Sequence, residues 1–368
     1  MSKLNPPFRA DHVGSLLRPK PLLAMRERYF NSDVSYEELR AVEDEHIATA
    51  VKKQEATGLQ SITDGEFRRT FFHLDFLEQV GGVTVSGAIA ADENAPSKGF
   101  TPPRLEVTGK LRHVKNIQVA DFEFLKSQVT ATPKVCIPSP TMVHFRGGRK
   151  GIDIHAYPDM DEFFEDLAQV YRDEIQALYA AGCRYIQLDD TNLAYLCDPQ
   201  MRQGAIDRGD DPNELPRTYA ALINSVIDGR PDDLTVGIHL CRGNFRSTWF
   251  AQGGYEPVAE VLFNDLNVDA YFLEYDDERS GDFAPLRFVP ENKTVVLGVV
   301  TSKSGVLEEK DFIIGRIKEA AQYMPLAQMC LSPQCGFSST VHGNELTEDQ
   351  QYAKIEFIID IAREVWGD

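Results

Sequence analysis

Three features of this sequence predict one fold class, an α/β (β/α)8 (TIM) barrel with an inserted β-rich excursion. Eight short apolar runs alternate along the chain with amphipathic helical stretches, the pattern of parallel strands joined by crossover helices. Most of those runs end in residues able to do chemistry, and the carboxyl ends of barrel strands form the functional face of such folds. With 368 residues, 42% of them apolar, the chain can bury the core of one large barrel, and no long linker or second repeat divides it. One domain spanning 1–368 is expected.

Taken in order, Phe8 to Ser15 reads as strand one and ends in HVGS. Tyr36 to Thr57 is a helix: Ser35 caps it, Leu39, Val42, Ile47 and Val51 form one stripe, and Gly58 stops it. Leu59 to Ile62 is strand two, with Asp64 and Glu66 at its tip. From about 81 to 129 the pattern gives way to glycine, proline and alternating short strands such as RLEVTGKL and NIQVA, the excursion. Lys134 to Pro138 resumes as strand three. The helix Met160 to Ala181 precedes strand four, Tyr185 to Leu188, which ends in Asp189 and Asp190. The helix Leu215 to Asp228 leads to strand five with His239 and Cys241, and Pro257 to Leu266 to strand six with Glu274. Thr294 to Val299 is strand seven, ending in VTSKSG. The helix Glu308 to Met324 precedes strand eight, Met329 to Leu331, and Glu348 to Trp366 closes the chain.

A formal charge of −19 argues against nucleic acid or an anionic membrane as partner, since both need a basic face. The opening MSKLNPPFRADH has no apolar core of a leader, and no apolar run is long enough to span a bilayer. A cytoplasmic protein is expected. Six cysteines scattered over such a length follow no disulfide framework, so they bind metal or pack. Cys136, Cys183, Cys197 and Cys330 are read as packing. The oligomeric state stays open, a homodimer included.

The stretch GIHLCRGNF places His239 and Cys241 two residues apart at the end of a β-branched run. Period two puts both on one face of a strand. An imidazole and a thiolate side by side are half of a tetrahedral zinc site, although such a pair is also compatible with simple packing. Glu274 in YFLE and Cys335 in MCLSPQC end two later runs in the same way. Their wide spacing excludes a zinc finger and suits ligands converging from separate strands.

These residues resemble the cobalamin-independent methionine synthase family, specifically its zinc-containing catalytic barrel. The resemblance covers nearly the whole chain, with motifs in the right order. It implies Zn2+ held by His239, Cys241, Glu274 and Cys335, the last followed by Gly336. HVGS is similar to the family's first strand end, implying Gly14 and Ser15 as contacts for an amino acid carboxylate. DGEF and QLDD are similar to its amino-group motifs, implying Glu66 and Asp189. The implied reaction is methyl transfer to the thiol of homocysteine, from methyl-tetrahydrofolate or a methyl-corrinoid. The chain departs from the family at strand seven, where Lys303 stands in place of a histidine taken as the general acid. It also lacks the second, amino-terminal barrel of full-length members. Lys303 and Asp189 are the residues expected to act in catalysis.

The chemistry can be argued independently. Zinc strips the proton from a bound thiol, and two thiolates with a carboxylate leave a bound substrate sulfur electron-rich, whereas hydrolytic zinc prefers neutral imidazoles. Two further readings are alkylation of another thiol, as in epoxide transfer to coenzyme M, and a catalytically silent zinc-binding barrel. Arg146, Arg149, Lys150 and Arg242 are read either as an anion pocket or as solvated charges. His144, His155 and His342 are left outside the site.

Overall fold

The computed structural model describes residues 6–87, 90–91, 100–101 and 103–367. Twelve strands are present among these residues: β1 (Ser61–Ile62), β2 (Gly81–Ser86), β3 (Ala90–Ala91), β4 (Phe100–Thr101), β5 (Arg104–Arg112), β6 (Thr132–Pro133), β7 (Val135–Pro138), β8 (Tyr185–Asp190), β9 (Thr235–Leu240), β10 (Ala270–Glu274), β11 (Thr294–Val300) and β12 (Met329–Pro333). Strands β7 to β12 form one six-stranded sheet in sequential order. Every pairing in it is parallel. Helices join its strands, including Met160–Ala180, Leu215–Ile227, Glu256–Asn264 and Lys310–Ala320. Strands β8, β10 and β12 are buried along their whole length, as expected of parallel strands covered on both faces.

Strand one departs from expectation. Within Phe8 to Ser15 only Ala10 makes a β-bridge, parallel to Leu331 of β12, with Asp11 N–H donating to Leu331 O at 2.9 Å and Leu331 N–H to Arg9 O at 2.8 Å. The cause is the buried Asp11 carboxylate, which accepts from the backbone N–H groups of Phe8 and His12 and from the Ser61 and Tyr185 hydroxyls. Side-chain bonds therefore replace ladder bonds. Beyond it, Leu16 N–H donates to Gly65 O at 3.0 Å and the Thr63 hydroxyl to Gly14 O at 2.6 Å, tying this segment to the residues after β1. β1 itself pairs in parallel with β6, and Lys134 N–H continues the contact to Ile62 O at 2.8 Å. Residues 132–138 thus form one extended run that meets β1 at one end and β8 at the other.

The excursion is an antiparallel hairpin, β2 with β5, continued by the short pair β3 and β4. It ends earlier than the sequence suggests. Val119–Gln128, inside the expected stretch, is a helix that buries Phe122 and Leu125, because those two lie three apart on one helical stripe. The helix Tyr36–Thr57 carries the expected capping box, with Ser35 and Glu38 satisfying each other's backbone N–H groups. The main apolar core lies between sheet and helices, while Val13, Tyr185, Phe272, Val296 and Cys330 form a separate small cluster. Among the described residues no helix is long and apolar enough to cross a membrane.

Candidate metal centre

Register alone brings the site together. In the parallel pairing of β8 with β9, Asp189 lies opposite His239, so their side chains share a face. Glu274 is the last residue of the neighbouring β10, Cys241 follows β9, and Cys335 follows β12. Cys241 N–H donates to Asp190 O at 2.7 Å, and Gln334 N–H to Val300 O at 2.8 Å, which extends the sheet contacts to Cys241 and to the residue before Cys335. One ligand atom from each of His239, Cys241, Glu274 and Cys335 falls within 4.8 Å of the other three, and all four residues are buried.

The donor set fits zinc: one imidazole nitrogen, two sulfurs and one carboxylate oxygen. Neither ring nitrogen of His239 has a hydrogen-bond partner although the ring is buried, an arrangement that costs free energy unless something else takes a lone pair. Burial alone would lower the basicity of His239, but the Cys335 sulfur, Asp189 and Glu274 together push it up to about 9. Sγ of Cys241 and Sγ of Cys335 stand 3.5 Å apart. The hydrogen bond between them drives Cys335 well below the usual thiol range and Cys241 well above it. Glu274 is held from behind, Oε1 accepting from Arg242 N–H at 3.0 Å and Oε2 from Arg279 at 2.9 Å.

Beside the ligands lies a cavity of about 260 Å3 whose lining includes Ser15, Glu66, Arg69, Asp189, His239, Cys241 and Cys335. Glu66 sits in left-handed backbone, φ 58°, a conformation that costs a non-glycine residue about 1 kcal/mol or more. Asp64 accepts its N–H at 2.8 Å and Arg18 grips its carbonyl at 2.7 Å, and these bonds hold the strained turn. Burial pushes Glu66 up to about 8 against the pull of Arg69, and burial likewise raises Asp189. Arg69 forms an ion pair with Glu66 and lies 3.9 Å from Asp189. Sequence reasoning passed over Arg69, which follows Glu66 by three residues, a spacing that can return a side chain to the same patch.

Gly14 does not line this cavity. It makes room behind it: a Cβ there would come within 2.5 Å of Glu66 Oε1 and 2.6 Å of Cys136 Sγ, and its φ is +136°. Ser15 does line the cavity, and its hydroxyl accepts from Ser338 N–H at 3.3 Å. Gly336 is required beside it, since a Cβ would stand 1.9 Å from Ser15 Oγ.

Lys303 is not among the lining residues. Its ammonium pairs with Asp276, which also takes Arg279 at 3.1 Å, so it buttresses the carboxylates behind Glu274. Of the four basic residues read as an anion pocket, only Arg146 reaches the cavity. Arg242 is fully buried over the Tyr255 ring at 4.3 Å, and Arg149 is spent on the carbonyls of Ile152 and Tyr157. The aromatic wall of Phe71, Phe72, Phe145, Tyr195, Phe245 and Phe250, with His73, Met201 and Arg208, went unrecognised in the sequence because its members come from three loops and two helices without a common spacing. A larger cavity of about 450 Å3 backs onto Glu66 and Arg69. Its arginines Arg26, Arg40 and Arg68 are already paired with Glu43, Asp44 and Asp121.

Fold and site together define an α/β protein with a thiol-rich ligand cluster at its strand ends and an acid-lined cavity beside it. Comparison with known proteins makes this specific. Residues 9–362 match the family described as "Cobalamin-independent synthase, Catalytic domain", and the chain belongs to that family. It is 48% identical over 364 residues to YxjH of Bacillus subtilis (strain 168), an uncharacterized protein, covering 98% of this chain and 95% of that one. The crystal structure of a Listeria monocytogenes protein, assigned by name as a vitamin-B12 independent methionine synthase, is 38% identical, covers 99% of each chain and superposes with a TM-score of 0.80. A methionine synthase of Pyrococcus horikoshii is 24% identical over 326 residues, 88% of this chain and 84% of its own. At family level this supports methyl transfer to homocysteine.

Proposed function

We propose that this chain is a zinc-dependent thiol S-methyltransferase that forms methionine from homocysteine. The observation that carries the reading is the convergence of His239, Cys241, Glu274 and Cys335 within 4.8 Å, with His239, Cys241 and Cys335 lining the same cavity as Glu66 and Asp189. The reading takes the six-stranded sheet as part of a closed (β/α)8 barrel. Residues 9–11, bridged to β12, and β1, paired with β6, supply the remaining two staves, and the cluster around Tyr185 and Phe272 fills the interior. It takes 1–368 as one domain. Six free cysteines support a reducing, cytoplasmic setting.

Zinc held by the four ligands would keep an incoming thiol as thiolate at neutral pH. The side chains do the rest. Glu66 and Asp189 receive the substrate ammonium: burial holds the Glu66 carboxyl up at about 8 and raises Asp189, and an arriving ammonium adds to the pull of Arg69 toward the ionised forms. Ser15 offers its hydroxyl to the substrate carboxylate. The aromatic wall excludes water from the sulfur.

The reading of the methyl donor turns on which residues could hand it a proton. His73 lines it, but burial together with Arg146 and Arg69 holds the ring well below the usual histidine range, so it is neutral at pH 7. Lys303 is tied to Asp276. A methyl-tetrahydrofolate donor leaves as an amine that needs a proton, whereas a methyl-corrinoid does not. With Glu66 and Asp189 taken up by the substrate ammonium, the donor is read as one that leaves without protonation. The test is a parallel assay of methyl transfer to homocysteine from methylcobalamin and from monoglutamyl methyl-tetrahydrofolate. Methionine from the first and little from the second is expected, and methionine from neither, with zinc bound, would refute the reading.

A further inference from the structure

A second group of donor atoms stands beside the first and shares no member with it. One ligand atom from each of Glu66, Cys136 and Asp189 falls within 4.8 Å of the other two. Strand register builds the group: in the parallel pairing of β7 with β8, Cys136 lies opposite Gln187 and Pro138 opposite Asp189, so Cys136, Gln187 and Asp189 project to one face. Glu66 and Cys136 share the hollow left by Gly14, where a Cβ would meet both. The Cys136 thiol and the Gln187 amide nitrogen both donate to Val13 O, at 3.2 and 2.7 Å, and the same nitrogen donates to Asp189 Oδ1 at 2.7 Å. Both N–H groups of that amide are thereby used inside the group, which fixes its orientation. Its oxygen, Oε1, is buried there without a hydrogen-bond partner. The group lies where two cavities meet: Cys136 lines the one of about 450 Å3, Asp189 the one of about 260 Å3, and Glu66 and Arg69 line both.

Against these donors stands Arg69, paired with Glu66 and 3.9 Å from Asp189. Two other cations act on the group, Lys134 on Cys136 and Arg18 on Glu66, but Lys134 is bonded to Asp11 and His12 O, and Arg18 to the carbonyls of Glu66 and Arg69. Glu66 and Asp189 both push the Cys136 thiol up, the mark of like charges crowded together. A divalent cation relieves that crowding and gives the orphaned amide oxygen a partner. One sulfur with carboxylate and amide oxygens suits zinc or cadmium better than magnesium. We propose that Glu66, Cys136, Asp189 and Gln187 form a second, weaker site for a thiophilic divalent cation, filled from the larger cavity when that cation is in excess, with Arg69 as its built-in competitor. Binding displaces Arg69 from the carboxylates and releases the Cys136 proton to solvent, the thiolate becoming a ligand. The site does not depend on the methyltransferase reading. Only its consequence rests on that reading: a cation on Glu66 and Asp189 excludes the substrate ammonium, so excess metal inhibits.

The probe is Zn2+ itself, equilibrated by dialysis with the zinc-loaded full chain at a series of buffered free-zinc levels, the bound metal being counted by emission spectroscopy. At the upper levels wild type should hold about one zinc per chain more than Cys136→Ser, while both keep the first. The substitution changes one atom at a half-buried position, and a cooperative melt checks the fold. Arg69→Gln, relieved of the competing charge, should fill the second site at free zinc lower by about tenfold, the scale of one charged hydrogen bond. Equal uptake by wild type and Cys136→Ser would overturn the site, and so would filling of Arg69→Gln at unchanged or higher free zinc. Methionine, which carries the substrate ammonium without a thiol to capture free zinc, reports the consequence. At free zinc about ten times the second dissociation constant, its calorimetric affinity should fall about tenfold in wild type and hold in Cys136→Ser. An extra zinc that leaves methionine affinity unchanged would uphold the cation site and refute the ammonium assignment of Glu66 and Asp189, so the two readings fail separately.

Discussion

Sγ of Cys241 and Sγ of Cys335, 94 positions apart in sequence, stand 3.5 Å apart without a disulfide between them. A disulfide requires about 2.05 Å, so the two sulfurs are placed for a shared ligand yet could be oxidised if nothing held them apart. Zinc removal should make the pair vulnerable. Diamide should form a Cys241–Cys335 disulfide in chelator-treated protein, seen as a loss of two thiols and a cross-linked peptide by mass spectrometry, and should leave zinc-loaded protein unchanged. Equal oxidation of both forms would separate the cysteines from the metal.

Substitution at the ligands should remove metal without unfolding the chain, because the residues lie at strand ends rather than in the main apolar core. Cys241→Ser and Cys335→Ser should each lose most of their zinc while keeping a cooperative melt. The measurement is metal content by emission spectroscopy beside circular dichroism. Full zinc in both variants would contradict the assignment.

Glu66→Gln and Asp189→Asn test whether the acceptor is an amino acid. Each removes one charged contact to an ammonium in a buried site, worth about 1.5–3 kcal/mol, or about 10- to 150-fold in affinity. Calorimetry with homocysteine should show that loss, and 3-mercaptopropionate, which lacks the amino group, should bind wild type and variants alike. Unaltered homocysteine affinity would mean that the thiol is not recognised through its ammonium.

Acid stability depends on His12. Burial, with Lys134 beside it, lowers the ring to about 4, and Nε2 donates to Ser61 O at 3.2 Å. A histidine held neutral in the fold but free to charge near 6.5 when unfolded contributes stability that is complete above pH 6.5 and lost as pH falls toward 4. The loss is up to about 3 kcal/mol. Asp11, held below its usual range through Lys134 and His12 against burial, adds a loss of the same sign at still lower pH. Urea midpoints between pH 7.5 and 4.5 should show this slope, and His12→Gln should flatten it. An unchanged slope in the variant would assign the effect elsewhere.

How much of this was legible depended on how each residue is positioned. Asp189, His239 and Glu274 lie on strands and Cys241 and Cys335 just past strand ends, so a period of two and a parallel sheet place them without knowledge of any side-chain contact. The ligand cluster was readable for that reason. Strand one was not, because Asp11 bonds to His12, Ser61 and Tyr185 in place of a backbone ladder, and such substitution leaves no mark on hydrophobic pattern. Lys303 was read as facing the chemistry from its strand-seven position, yet the pull of Asp276 turns it behind Glu274. Arg208 and Phe145 come from segments whose approach only the folded chain decides.

The most direct test is X-ray absorption at the zinc edge of the loaded protein, with and without saturating homocysteine. The account predicts two sulfurs with nitrogen and oxygen before addition and one more sulfur on the metal afterwards. A zinc environment that does not change with homocysteine would contradict thiol activation at this centre.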